Sequence, residues 1–155
     1  MKKLIKAALA AVLIIAVGIN STIYIHAKLP LSKIDPVKGD PFEEPVKIRC
    51  SCYCEPGITA TGKKTRSGII AGKKEWLGCT AELNAINPDG TIGDFIGYFE
   101  FADTGAGMDT DGDGIGDSIK NGQSVDVWTT SIQEAYRFRD LYGDYVYIQI
   151  IKGDG

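Results

Sequence analysis

The sequence predicts a mainly β fold, a small six-stranded closed barrel with one helix near the C-terminus. Three observations carry the prediction. Short alternating or apolar runs recur from Val46 onward, clusters of Gly, Pro, Asn and Asp separate them, and only one segment keeps a helical period. A content of 44% hydrophobic and 24% charged residues over 155 positions is ordinary for a single globular domain.

The chain opens Met1-Lys2-Lys3-Leu4-Ile5-Lys6 and continues through an uncharged apolar stretch from Ala7 to Gly18 and on to Ile25. A basic start followed by such a stretch is the pattern of an export signal, with a cleavage point after Ala27. The run also approaches the roughly 20 residues that span a bilayer, so residues 1–27 read as a signal peptide or an N-terminal membrane anchor. Residues 28–46 carry Pro30, Pro36, Pro41 and Pro45 without apolar periodicity, which predicts an extended Pro-rich linker. The barrel domain is then residues 47–155, and the protein is expected outside the cytoplasm: extracellular, in the cell wall or tethered to the membrane.

Within the domain, strand patterns fall at Val46 to Tyr53, Ser67 to Ala71, Leu77 to Ile86, Ile92 to Ala102, Ser124 to Trp128 and Asp144 to Ile151. Asn87-Pro88-Asp89-Gly90 is a turn signal between the third and fourth, which predicts a hairpin. The helix is capped by Thr130 or Ser131, with Glu134 at the capping-box position. Ile132, Ala135, Tyr136, Phe138 and Leu141 follow at helical spacing until Gly143 stops it.

Charge and histidine count narrow the chemistry. A net charge of −3 lacks the basic excess of a nucleic-acid binder, so no nucleic acid is expected. The one histidine, His26, falls in the export segment. Without imidazole in the domain, Ser-His-Asp triads, Cys-His nucleophiles and His-bound zinc are excluded together. Catalysis there has to rest on carboxylates, lysine, tyrosine or cysteine. The four cysteines, Cys50, Cys52, Cys54 and Cys79, permit two disulfides in an exported chain, but residues two apart on one strand are poorly placed to bond and the pairing stays open.

Residues 100–126 concentrate acids. Asp109, Asp111, Asp113 and Asp117 stand at positions one, three, five and nine of an EF-hand-type loop, with Gly114 at six, a spacing that wraps oxygens around calcium. Lys120 occupies position twelve, where a bidentate Glu closes such a site. A weak structural calcium or a solvated acidic insertion are the two readings of this loop.

The edges of the same region carry a motif. Asp103-Thr104-Gly105 ends one strand, and Ile119, Lys120, Gly122, Val125, Asp126 and Val127 lead into the next. Upstream stand Thr59-Ala60-Thr61-Gly62, Gly68-Ile69-Ile70-Ala71 and Leu77-Gly78; downstream stand Glu134-Ala135 and Val146-Tyr147-Ile148. In this order, over roughly Cys50 to Ile151, the sequence resembles the 3D (three-aspartate) domain family. That family is a double-psi β-barrel similar to the catalytic barrel of membrane-bound lytic transglycosylase A and of stationary-phase muralytic proteins. The acidic run between Gly105 and Ile119 then reads as an insertion into the motif. Lys73 stands where the family has its first aspartate, and the nearest acid is Glu75.

The resemblance implies cleavage of peptidoglycan glycan strands, by a lytic transglycosylase or a glycosidase-like reaction. Such a reaction needs a proton for the leaving oxygen and stabilisation of an oxocarbenium-like transition state. Asp126 matches the catalytic acid/base and Asp103 the second carboxylate, with like-charge repulsion and partial burial expected to raise the pKa of one of them. Lys120 and Thr104 are expected at the substrate, Lys120 either bonding it or holding Asp103 charged. Tyr53, Trp76 and Trp128 are candidates for stacking on sugar faces, against the alternative of core packing. No cofactor is required, and a structural calcium is the one candidate ion. The competing expectation is a non-catalytic cell-wall-binding barrel that kept the fold and lost the first acid.

Overall fold

The computed structural model describes residues 39–152. The expected export segment 1–27 and the linker as far as residue 38 lie outside the described residues. The described part contains β1 (Val46–Tyr53), β2 (Ile69–Ala71), β3 (Thr80–Ile86), β4 (Ile92–Asp103), β5 (Ser124–Trp128), one helix α1 (Ile132–Tyr142) and β6 (Tyr145–Ile151). A 3-10 turn at Lys74–Trp76 precedes β3, so the Leu77-Gly78 pair forms a turn rather than the start of the strand.

The six strands close into one barrel in the order β1-β5-β2-β4-β3-β6, with β6 paired back to β1. Alternation drives closure: every second residue of β1 as far as Cys50, and of β6, is buried, and Val46, Ile48, Cys50, Val146, Ile148 and Ile150 fill one continuous core with Ile70, Leu83, Phe101, Val125 and Val127. Each large side chain taken fully out of water there contributes about 1.5–3 kcal/mol. Two of the ladders are parallel, β1 with β5 and β2 with β4, and the others are antiparallel. The β3–β4 hairpin forms where the sequence predicts it. Gly90 takes φ of 85°, and the Asp89 carboxylate accepts from both the Thr91 amide and its hydroxyl, at 3.0 and 2.7 Å.

α1 begins at Ser131, whose hydroxyl accepts from the Glu134 amide at 3.3 Å, and ends at Gly143 with φ of 78°. Ala135 is its buried residue, and Phe138 packs onto the core. The last residues of the Pro-rich stretch also dock: the Pro41 carbonyl accepts from the Ile150 amide at 2.7 Å, and Phe42 packs against the core. Val46, with which the linker was expected to end, is the buried first residue of β1.

Candidate active site

β2 organises the acids. Only three residues long, it runs parallel to β4 on one side and antiparallel to β5 on the other. Ile70 pairs with Phe101 and with Val127, and all three belong to the core. Regular alternation would leave Asp103 on the core side, like Phe101 two residues before it. A register shift between Ile70 and Ala71 inserts one extra residue into β4, so Ala71 pairs with Asp103 instead of Ala102. Such a bulge re-aims the side chains that follow it. The other partner of Ala71 is Asp126. Asp103 and Asp126 therefore stand on the face away from the core, on either side of Ala71, with α-carbons two strand spacings or about 10 Å apart.

The segment between β1 and β2 folds over this face. The amide and hydroxyl of Thr61 both donate to the Ala102 carbonyl at 3.0 Å, and Ile69, Ala71 and Ala102 are buried beneath it although they lie outside the barrel core. Lys63 and Arg66 both pair with Glu100 of β4 and clamp the same segment from its far end.

The two carboxyl groups sit in unlike surroundings. Asp103 is saturated with donors: Oδ1 accepts from the Ala60 amide at 3.0 Å and from the Thr104 amide at 2.9 Å, and Oδ2 accepts from the Tyr53 hydroxyl at 3.0 Å. Asp126 has the reverse problem. Its Oδ1 is buried with no hydrogen-bond partner among the described residues. Burial pushes its pKa up to about 6; the Ser51 hydroxyl directly opposite pulls it down, and the negative charge of Glu55 adds to the rise. The like-charge repulsion from Asp103 expected from the sequence is not among the causes.

Both acids reach Tyr53. Burial, then the hydrogen bond and charge of Asp103, then the charges of Asp126 and Glu55 push the phenol well above its ordinary value, so it stays a donor. Tyr53, a candidate sugar platform, has its hydroxyl bonded to Asp103. Trp76 is a correction. It is 6% exposed and packs on Phe101 with ring centroids 5.3 Å apart, so neither face is open to a sugar. Trp128 is half-buried; its indole N–H donates to the Glu55 carbonyl at 3.2 Å, and it lines a cleft of about 340 Å³ with Phe99, Phe138 and Leu141. Thr104 lies beside the acids and its amide holds Asp103. Lys120 is exposed on a turn, and the donors to Asp103 come from Tyr53, Ala60 and Thr104 instead. Lys73 follows Gly72, whose amide donates to the Asp103 carbonyl at 3.1 Å, and its ammonium lies 3.9 Å from Glu75.

The residues that sequence reasoning missed are Ser51, Glu55 and Ala60. Ala60 was visible as part of the Thr59–Gly62 motif, but a backbone donor has no signature in residue type. Ser51 and Glu55 carry no signal, because strand pairing and chain return alone bring them to Asp126.

In the acidic loop, the carboxylates of Asp109, Asp111 and Asp113 offer oxygens all within 4.8 Å of one another. Asp117 does not join them. Its carboxylate is held by the amide and hydroxyl of Thr110 at 2.9 and 2.6 Å and by the Asn121 side chain at 2.7 Å. The Asp109 carboxylate accepts from the amides of Gly112, Gly114 and Asp111, and these bonds, Gly112 first, hold its pKa below the ordinary value.

The four cysteines are free thiols. Cys52 and Cys79 both pack against the barrel core. Burial first, then the charge of Asp126, push the Cys52 thiol up to about 12 against the opposing pull of Arg139, and burial, Cys52 and Asp126 push Cys50 up as well, away from nucleophilic character. What remains around Asp103 and Asp126 is carboxylate chemistry. No protein-family model, curated protein or solved structure matches this chain.

Proposed function

We propose that this chain is a three-aspartate-type double-psi barrel that cleaves peptidoglycan glycan strands, with Asp126 as general acid and then base. The observation that carries this reading is the contrast within the acid pair: a half-buried carboxyl with an orphaned oxygen and a pKa near 6, across the intervening strand β2 from a carboxylate bearing three donors. A proton donor and an anion held side by side is what glycosidic cleavage requires. The closed six-stranded sheet with two parallel pairs is compatible with the double-psi architecture.

In this mechanism Asp126 gives its proton to the glycosidic oxygen as the bond from that oxygen to the anomeric carbon breaks, and the bonding pair leaves with the oxygen. Asp103 faces the positive charge developing on the ring. The sugar's own 6-hydroxyl then bonds to the anomeric carbon, and Asp126 takes the hydroxyl proton back, so acid and substrate are balanced without water. The protein is exported or membrane-tethered in this reading, where the glycan strands are. The test is digestion of purified peptidoglycan with mass spectrometry of the products. Wild type should release anhydro-muramyl fragments and Asp126→Asn should not; equal release from both would sink the reading.

Two observations favour a second reading, a non-catalytic cell-wall-binding barrel stabilised by calcium: Lys73 at the first acid position and the convergence of Asp109, Asp111 and Asp113. It predicts pelleting with insoluble peptidoglycan and no fragment release.

A further inference from the structure

The Tyr53 hydroxyl is committed to one member of the acid pair. It reaches from the end of β1 to Oδ2 of Asp103 at 3.0 Å. The opposite oxygen of Asp103 is held by amides of two other segments, Ala60 of the β1–β2 segment and Thr104 after β4. Three donors from three directions leave that carboxylate one orientation. Without the Tyr53 hydroxyl, Oδ2 would have no donor to oppose rotation about the side-chain bond. Asp126 receives nothing comparable, since its buried Oδ1 is unpartnered.

We propose that Tyr53 is a positioning residue that acts through Asp103: its hydroxyl fixes Asp103 as the anion facing the reacting sugar and leaves Asp126 as the proton donor of the pair. The proposal rests on the glycan-cleavage reading for its catalytic consequence, but its geometric half stands independently. The phenol is suited to this because burial and the neighbouring carboxylates keep it protonated, so it never exchanges its donor role for an acceptor one.

The decisive variant is Tyr53→Phe in the full chain, since it keeps the ring and removes only the hydroxyl. A positioning role predicts a fall in kcat of roughly 10- to 100-fold with KM little changed, the scale of loss expected when a reacting group is misplaced. It also predicts no further loss when Tyr53→Phe is added to Asp103→Asn, because both remove the same contact. A stacking role predicts that Tyr53→Phe behaves as wild type while Tyr53→Ala raises KM; that pattern would overturn the proposal. A second measurement needs no substrate. The amide resonances of Ala60 and Thr104 report the orientation of Asp103, and they should move in Tyr53→Phe relative to wild type at an unchanged melting temperature. Unmoved resonances would overturn the proposal even in an active enzyme, and a wild type that releases no fragments would defeat the functional reading while the resonances still decide the role of Tyr53.

Discussion

Asp126 on β5 and Asp109 in the loop after β4 are the same side chain in opposite surroundings. At Asp126 the carboxyl has been taken out of water without a donor for one oxygen, and its pKa rises to about 6. At Asp109 the carboxyl is in water and wrapped by three backbone amides, and its pKa falls. Desolvation penalises charge and hydrogen bonding rewards it. The first environment suits a group that must carry and release a proton; the second suits a permanent anion that organises a loop or holds a cation. An acid-rich region is thus not one site but two, and density of Asp in the sequence does not separate them.

The strongest way to break this contrast is Asp126→Asn. Loss of a positioned general acid lowers rate by roughly 10²–10⁴-fold, so peptidoglycan digestion by this variant should drop by that factor, whereas Asp109→Asn should leave digestion near wild type. Comparable losses in both would mean that the two regions are not functionally distinct.

A second test uses pH. The acid must be protonated to work, so with Asp126 titrating at about 6, log kcat should fall with unit slope as pH rises above that value. Stability should follow the same group. The unfolded carboxyl loses its proton near pH 4 and the folded one near 6. The unfolding free energy read from denaturant midpoints should therefore fall as pH rises across that window and level off above it, by an amount on the order of 3 kcal/mol. In Asp126→Asn the slope should vanish; an unchanged slope would show that Asp126 is not the raised acid.

The loop itself has an anchored base and a free tip, which glycine substitutions can separate. A Cβ at Gly107 would lie 2.2 Å from the hydroxyl oxygen of buried Ser118 and 2.9 Å from the Ile119 amide nitrogen, at φ of +77°. Gly112 has φ of +87° but open space around it. Gly107→Ala should destabilise by about 2–4 kcal/mol and Gly112→Ala by about 1 kcal/mol, read from urea midpoints. Equal effects would show that the loop base is not packed into the domain.

Calcium is expected to have an effect close in size to that of Gly112→Ala. If Asp109, Asp111 and Asp113 hold the ion, calcium at ten times its Kd adds about 1.4 kcal/mol. The melting temperature should rise with millimolar calcium and fall back with chelator, and Asp109→Asn should abolish the difference. A melting temperature indifferent to calcium removes the ion from the account.

Much of the fold is legible in local pattern. The alternation in Val46–Tyr53 and Tyr145–Ile151 marks strands, the Asn87–Gly90 turn marks a hairpin, and Ser131 with Gly143 brackets the helix, because each signal is carried by residues close in sequence. The site is legible only in part. Asp103 and Asp126 stand out through the motif around them, but alternation alone would have placed Asp103 on the core side. The bulge between Ile70 and Ala71 depends on how β2 meets β4, and the paired residues of the two strands lie just over thirty positions apart in the chain. Trp76 shows the same limit from the other side. Its residue type suits sugar stacking and core packing equally, and only its contact with Phe101 decides.

The sequence by itself determined a mainly β domain with one C-terminal helix, an acid-rich segment and no histidine after His26, because periodicity, turn chemistry and composition are local quantities. Tertiary structure alone decided that short β2 lies between β4 and β5, that a bulge turns Asp103 toward Asp126, and that Tyr53, Ala60 and Thr104 converge on one carboxylate while the other is left without a donor for one oxygen. Burial and hydrogen bonding set the chemistry of a carboxyl group, and both are properties of neighbours that the chain brings together only on closing the barrel.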